Sequence, residues 1–508
     1  MVTVKINPDR ILSEVDRNIF GHFTEHAVDC IYGGIYDEKS PLSDSNGLRK
    51  DVIELTKKVR APQIRYPGGN FVSNYHWLDG IGPKDQRKCV FDYAWKVEEN
   101  NHFGTIEFIQ FCRQVGAEPY LCCNMGTGTI GEAMAWVEFC NGTGNTQYAK
   151  MRKELGYEEP FDVKYWGLGN EMYGPWQCGQ MNAIDYAKSA REFGKAMRTV
   201  DPNIILVACG NEIDQSWNAE VIKQLNGLID YISIHHYSIA WGYPYEFSHD
   251  YLRLMTVSQL VEEESQITRA TIESVTGDCK SPIKIAWDEW NLNGWFFDGV
   301  DDDSTYDLTN AIVTSSFLNT MIRNSDIIGM ANYSPFVNLS GAIKVTSDRV
   351  KIRPMYHVFD LYGNHTGTQL VDTFFESETF QYNLPYDLRL QKRHYFTTNP
   401  PDSTPREISY LDIVATKSED GKTLFLAIVN KHPEKDYPLA LQLDSYQAKN
   451  MKAYRIYSEN TTDYNSIKAP NNVSIVEQDF SVVDDAPTIV VPKHSINIVE
   501  LTLEAAEP

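Results

Sequence analysis

Cationic side chains are scarce in this chain: 46 Lys and Arg stand against 69 Asp and Glu over 508 residues, a formal net charge of −23. A surface of that sign repels phosphate backbones and anionic lipid headgroups, and no basic cluster offsets it, which argues against nucleic acid or membrane partners. Long apolar runs are missing too, none approaching the roughly 20 residues that cross a bilayer. The opening Met1 to Pro8 lacks the charged and apolar regions of an export signal, although a leader already removed would leave the same sequence. The nine cysteines are odd in number and all lie at or before Cys279, several of them (Cys112, Cys122, Cys123, Cys140, Cys209) in apolar elements. Buried, reduced thiols of a cytoplasmic protein fit this pattern better than a disulfide framework. Internal repeats and low-complexity tracts are absent as well.

What is abundant is apolar and aromatic material, 42% and 12% of the residues, enough for a large core and more than one domain. Eight short apolar runs recur at residues 19–22, 63–66, 119–124, 163–169, 204–208, 231–235, 283–287 and 327–331. Segments with helical spacing lie between them, at 48–59, 105–115, 183–200, 252–275 and 308–322. Strand and helix alternating eight times predict a (β/α)₈ TIM barrel over residues 14–364. Beyond Gly363 the spacing changes to short alternating runs broken by turn signals, at 411–416, 424–429, 488–491 and 496–501. Residues 365–508 are therefore expected to form an antiparallel β-sandwich, jelly-roll-like, completed by residues 1–13. The Pro-, Asp- and Thr-rich stretch 398–406 is expected to be an exposed loop.

Two glutamates stand out against this frame. Glu171 follows the fourth run and Glu289 the seventh, and a barrel of this kind carries its chemistry at the C-terminal ends of its strands. A single acidic residue after a strand is most often a helix cap or a solvated loop residue. Here two of them share a setting of aromatics, Trp166, Tyr173 and Trp176 around one and Trp287, Trp290 and Trp295 around the other, rings of the kind on which sugars stack. Paired carboxyls are what glycosidic cleavage needs: one protonates the leaving oxygen while the other attacks the anomeric carbon or activates water. Glu212 repeats the Gly-Asn-Glu pattern after the fifth run but is followed by what reads as an ordinary loop, and it ranks well below Glu171.

Several motifs in order, Glu25-His26 with Tyr32 to Tyr36, Arg65 to Phe71, Gly169-Asn170-Glu171-Met172 with Gly174-Pro175-Trp176, and Asp288 to Asn291, resemble the α-L-arabinofuranosidases of glycoside hydrolase family 51. The resemblance implies retaining double displacement and exo removal of terminal arabinofuranosyl units, with Glu171 as acid/base and Glu289 as nucleophile. It places Asn170 on the sugar 2-hydroxyl, and further sugar contacts at Glu25, Arg65, Asn70, Trp95 and Tyr237. Glu25 and Asn70 are suited to ring hydroxyls, Trp95 to one wall, and Arg65 to orienting a glutamate. His235 and Tyr237, at the end of the sixth run, are placed to position Glu289, although a satisfied core histidine is an equal reading for His235. No metal or other cofactor is implied, and family likeness suggests a homo-oligomer, a hexamer.

Two departures bear on substrate choice. Many family members carry a Trp four residues after the nucleophile and a Gln near the end of strand eight, where this chain has Asn293 and Pro335; Trp295 is a candidate stand-in for the first. Both positions are expected on loops at the mouth. Three rivals stay open: an endo-acting glucanase or xylanase on the same barrel, a metal-dependent hydrolase built on His235, His236 and Asp288, and a non-catalytic sugar-binding protein. The metal reading is weakened because adjacent strand residues face opposite ways and no metal-binding histidine spacing occurs. The linkage cleaved and the parent polysaccharide are not written in the residues.

Overall fold

The computed structural model describes residues 1–239, 250–294, 303–383, 405–480 and 487–505. Its centre is a closed barrel of eight parallel strands, Gly21–Phe23, Gln63–Tyr66, Glu118–Cys123, Tyr165–Leu168, Ile205–Cys209, Tyr231–Ile239, Lys284–Asn293 and Ile328–Tyr333. Each strand pairs in parallel with the next, and the eighth returns to the first through Asn332 opposite Gly21 and Tyr333 opposite His22. The strands coincide with the eight apolar runs because a parallel strand covered on both faces must be apolar throughout.

Helices wrap the barrel and start where the sequence supplies caps. Thr129, Asn182, Asp214 and Asp307 accept the free N–H groups of the helices Ile130–Asn141, Ala183–Val200, Gln215–Leu225 and Leu308–Arg323. Gly116 closes the helix Thr105–Val115 in the left-handed conformation, φ 79°. Two expectations need correction. The segment 252–275 is not one helix but a turn, Tyr251–Leu254, followed by a helix, Ser258–Thr276. The residues after Glu212 are not a plain loop, since Asp214 starts a helix there. Among the described residues no helix is long and apolar enough to cross a membrane.

The floor of the barrel is plugged by Tyr120, Val207, Ala286 and Met330, so polar groups above it open only toward the C-terminal mouth. Nine of the remaining strands form one sheet that folds over a second apolar core, including Val4, Leu424, Leu439, Leu441, Ile489 and Leu501, to make a β-sandwich. Strand Val2–Glu14 lies inside it, antiparallel to Gln369–Phe375 and parallel to Tyr437–Leu443. The two units are stitched together where Leu308 N and Thr309 N donate to Asp463 O and Thr461 O at 2.9 and 3.0 Å, and where Arg323 pairs with Asp412. Of the loop expected over 398–406, only Pro405 and Arg406 are described, and they begin the strand Pro405–Ser409.

Candidate active site

Above the barrel floor, five strands and the loops that follow them deliver charged side chains to one place. The seventh strand contributes two neighbours at once. Its register against the sixth slips between Ala286, opposite Ser233, and Glu289, opposite His235, so three residues are used where the partner uses two. A bulge of this sort re-aims side chains. Trp287 and Trp290 pack outward, the first donating from Nε1 to Ser265 Oγ at 3.1 Å and the second edge-on to Phe317, while Asp288 and Glu289 both reach barrel residues inside. Glu289 therefore sits within the seventh strand, which runs on to Asn293, and not at its end as the apolar pattern suggests.

Arg65, on the second strand and 1% exposed, is the hub. Its Nη1 donates to Glu289 Oε1 at 2.7 Å and its Nη2 to Asn170 Oδ1 at 2.7 Å, while Nε lies 3.2 Å from Asp288 Oδ2. The fixed fork of a guanidinium suits three partners in one plane. Glu289 Oε2 lies 2.8 Å from the Tyr237 hydroxyl, which is also 2.6 Å from Ser334 Oγ. The serine can donate to the phenol oxygen while the phenol donates to the carboxylate.

Glu171 stands three residues beyond the fourth strand with φ 41°, in the left-handed region, where the turn brings its carboxyl back over the barrel. Its Oε1 is 2.9 Å from His235 Nδ1, and its Oε2 accepts from Trp176 Nε1 at 2.6 Å. One oxygen of Glu171, one of Glu289 and one ring nitrogen of His235 all lie within 4.8 Å of one another. The Glu171 side chain retains 16% exposure against 6% for Glu289, so it is the one on the solvent side.

His235 is bracketed by carboxylates, with Nε2 3.1 Å from Asp288 Oδ1 and Nδ1 also 3.8 Å from Glu289 Oε2. Burial alone would discharge the ring, but the charge of Glu289 and the hydrogen bonds to Asp288 and Glu171 outweigh it and push His235 up to about 10. His235 thus positions Glu171 more closely than Glu289, to which it was first assigned. The spacing of one His235 ring nitrogen to the two glutamates is also compatible with a metal ion, which would take the lone pair of that nitrogen in place of its proton. His236 turns out of the barrel, its Nδ1 2.9 Å from Glu264 Oε2, so it cannot share a ligand set with His235.

Glu25, after the first strand, is 1% exposed and accepts at Oε1 from Phe71 N at 2.9 Å and Trp95 Nε1 at 3.0 Å. Burial, followed by the charge of Glu289, raises its carboxyl well above the usual range. Trp95 is held at the tip of a hairpin formed by Val90–Asp92 and Val97–Glu99. Asn70 opens the short helical segment Asn70–Asn74 and is half-buried, and its carbonyl accepts from Gln177 Nε2 at 3.4 Å. Gln177 also takes up Asn170, whose Nδ2 donates to Gln177 Oε1 at 3.4 Å. Glu212 is 6% exposed, its Oε2 3.5 Å from the Tyr173 hydroxyl.

Other expectations fail for stated reasons. Trp166, Trp287 and Trp290 are fully buried on the outer face of the barrel and offer no stacking surface; of the described aromatics flanking the glutamates, Tyr173 is half-buried and Trp176 is 47% exposed. Trp295 lies outside the described residues. Asn293 is not on a mouth loop. It ends the seventh strand, 3% exposed, with Nδ2 donating to Asn310 Oδ1 at 2.7 Å. Pro335 is likewise buried, between Ser334, which meets Tyr237, and Phe336, which stacks on His22 at 3.8 Å. Sequence reasoning gave Asp288 a role only as a possible metal ligand, beyond its place in the motif Asp288 to Asn291, and it assigned none to Tyr120, Ser233 or Ser334. Their single signal was position, on strand segments facing the same interior.

Two family models cover most of the chain: an alpha-L-arabinofuranosidase 1 domain over residues 55–252 and an alpha-L-arabinofuranosidase C-terminal domain over residues 288–495. A probable alpha-L-arabinofuranosidase C of Aspergillus terreus is 36% identical, with 98% of this chain and 96% of that protein covered. An intracellular exo-alpha-(1->5)-L-arabinofuranosidase of Halalkalibacterium halodurans is 31% identical over 92% of this chain and 91% of its own length. Among solved structures, an alpha-L-arabinofuranosidase of Thermotoga maritima in complex with arabinose superposes with a TM-score of 0.88 at 39% identity, covering 99% of this chain and all of that one.

Proposed function

The chain belongs to the α-L-arabinofuranosidases of glycoside hydrolase family 51, and from that premise we propose that it removes terminal α-L-arabinofuranosyl units by a retaining double displacement. The observation that carries the mechanism is the approach of Glu171 and Glu289 oxygens to within 4.8 Å. Retaining enzymes hold their two carboxyl groups about 5–5.5 Å apart, whereas inverting ones leave about 6.5–9.5 Å for a water.

Glu289 is the nucleophile. Arg65 and Tyr237 hold one oxygen each, which fixes the direction of attack on the anomeric carbon. Glu171, on the solvent side, gives its proton to the leaving oxygen as the glycosyl ester forms, then takes a proton from the water that cleaves the ester. Glu25, Asn70, Trp95 and Asn170 bind the arabinofuranosyl ring, and the hairpin bearing Trp95 closes one end, which favours exo attack. The cytoplasm is the proposed compartment, supported by nine free cysteines and by the name of the bacterial relative. A homo-oligomer, a hexamer, is the proposed assembly, to be measured by sedimentation.

The test is kinetic. Glu289→Ala should abolish turnover of aryl α-L-arabinofuranosides, and Glu171→Ala should accumulate a glycosyl-enzyme from substrates with activated leaving groups and recover rate with azide. Rapid loss of β-glucan viscosity with arabinofuranosides left intact would favour an endo-glucanase instead, and inhibition by EDTA would favour metal-dependent chemistry.

A further inference from the structure

Asp288 touches neither glutamate's reacting oxygens nor the space between them, yet it is tied to groups that do. With its side chain 1% exposed, its Oδ1 accepts from Ser233 Oγ and faces His235 Nε2 at 3.1 Å, and its Oδ2 accepts from the Tyr120 hydroxyl at 2.8 Å and pairs with Arg65 Nε at 3.2 Å. A carboxylate at this depth stays ionised only against paired positive charge. Arg65 is shared with Glu289, so among the described residues two buried carboxylates have one guanidinium between them, and His235 is placed to be a second cation. Glu25, another buried acid here, is driven toward its neutral form by burial and by Glu289.

We propose that Asp288 is a positioning residue that fixes His235 as a standing cation, and that this cation trades its carboxylate partner between Glu289 and Glu171 in the two halves of the double displacement. The proposal rests on the retaining reading above. Geometry permits the trade without movement, because one ring N–H at Nδ1 lies 2.9 Å from Glu171 Oε1 and 3.8 Å from Glu289 Oε2. In the first half a Glu289 oxygen bonds to the anomeric carbon, the bond to the leaving oxygen breaks, and the Glu171 proton passes to that oxygen. One negative charge thereby leaves Glu289 and appears on Glu171. In the second half a water oxygen bonds to the same carbon, its proton goes to Glu171, and the ester bond breaks to return the charge to Glu289. His235 neither gains nor loses a proton at any point. It stays paired with whichever glutamate is charged.

Electrostatics agree with the geometry. Among the described residues, the charged groups facing the ring include Glu171 from the loop after the fourth strand and Asp288 and Glu289 from the seventh, with Arg65 of the second strand beyond them. Burial pushes the Asp288 carboxyl up, but Arg65 and then His235 outweigh it and hold it well below the usual carboxylate range.

The experiment is nitrogen NMR of enzyme labelled with ¹⁵N-histidine, the His235 signals being identified by their loss in His235→Gln. Spectra are recorded on the free enzyme and on enzyme trapped with an activated aryl 2-deoxy-2-fluoro-α-L-arabinofuranoside. The expected result is an imidazolium protonated on both nitrogens from about pH 5.5 to 8.5 in both states, a range in which an ordinary histidine titrates. Asp288→Asn should bring a titration into that range, and its kcat on an activated aryl substrate should fall about tenfold across it while the wild type changes less than about twofold. A merely structural Asp288 would lower kcat equally at every pH, and that outcome overturns its role. A trapped enzyme with neutral His235 overturns the exchange alone, while failure to form any covalent adduct overturns the double displacement and the exchange with it. Should Asp288→Asn not fold, the two wild-type spectra still decide.

Discussion

Asp288 and Glu289 are consecutive residues of one strand, and both side chains point into the barrel. Strict alternation would send one of them out among the helices. The slip in register, three residues of the seventh strand against two of the sixth, removes that conflict and turns Trp287 and Trp290 outward on either side of the pair. One irregularity thus supplies both a carboxylate between Arg65 and Tyr237 and a second carboxylate for His235.

Tyr237→Phe removes the hydroxyl that lies 2.8 Å from Glu289 Oε2. A hydrogen bond to a charged group contributes about 1.5–3 kcal/mol, so kcat/KM should fall about 10- to 150-fold. Because the contact is on Glu289, activated aryl arabinofuranosides should suffer as much as oligosaccharides. A loss confined to oligosaccharides would move Tyr237 to the leaving-group side.

Glu25→Gln should change how stability depends on pH. Burial, then the charge of Glu289, raises the folded-state value of Glu25 above its unfolded value. The native state therefore holds the proton more tightly, and wild-type stability from this group is full below the ordinary carboxylate range and is lost as pH rises through the raised value. Glutamine has no such proton and can still accept from Phe71 N and Trp95 Nε1. The melting temperature of the variant should rise relative to wild type between pH 4 and pH 8, as read by calorimetry; a constant difference would show that folding leaves the titration of Glu25 unchanged.

Asn293→Trp installs the residue that the family commonly carries four places after the nucleophile. Here the site is the buried end of a strand, with the side chain bonded to Asn310 at 2.7 Å. Overpacking costs about 1–3 kcal/mol and an orphaned Asn310 oxygen a similar amount. The melting temperature should drop by several degrees with little change in the ratio of oligosaccharide to aryl rates. An unchanged melting temperature with a shifted ratio would place residue 293 at the mouth.

The barrel was legible because its strands are buried on both faces and so read as plain apolar runs, and because segments such as 105–115, 183–200 and 308–322 carry helical spacing between them. Glu171 and Glu289 were legible as acids that follow such runs. What stayed hidden was where each side chain points. Trp166, Trp287 and Trp290 look like sugar platforms in one dimension and are core residues in three, and nothing in residues 283–291 announces the bulge that groups Asp288 with Glu289. Contacts such as Tyr120 to Asp288 join residues 168 positions apart, a separation that local patterns do not encode.

The strand Val2–Glu14 carries a consequence for biosynthesis. It leaves the ribosome before any strand of the barrel, yet its neighbours in the sheet are Gln369–Phe375 and Tyr437–Leu443, and Val15 N closes on Thr368 O at 2.8 Å. At about 5–20 residues per second, translation separates the strand from its earliest partner by about 20–70 s. The barrel, whose strands all lie between those two points, can close during that wait, whereas the sheet cannot. An unpaired strand of this length invites pairing with other nascent chains, and the charges of Lys5, Asp9 and Arg10 along it are the kind that discourage such encounters. The order of synthesis thus makes the barrel the template and the sheet the clasp, fastened last across the two ends of the finished barrel.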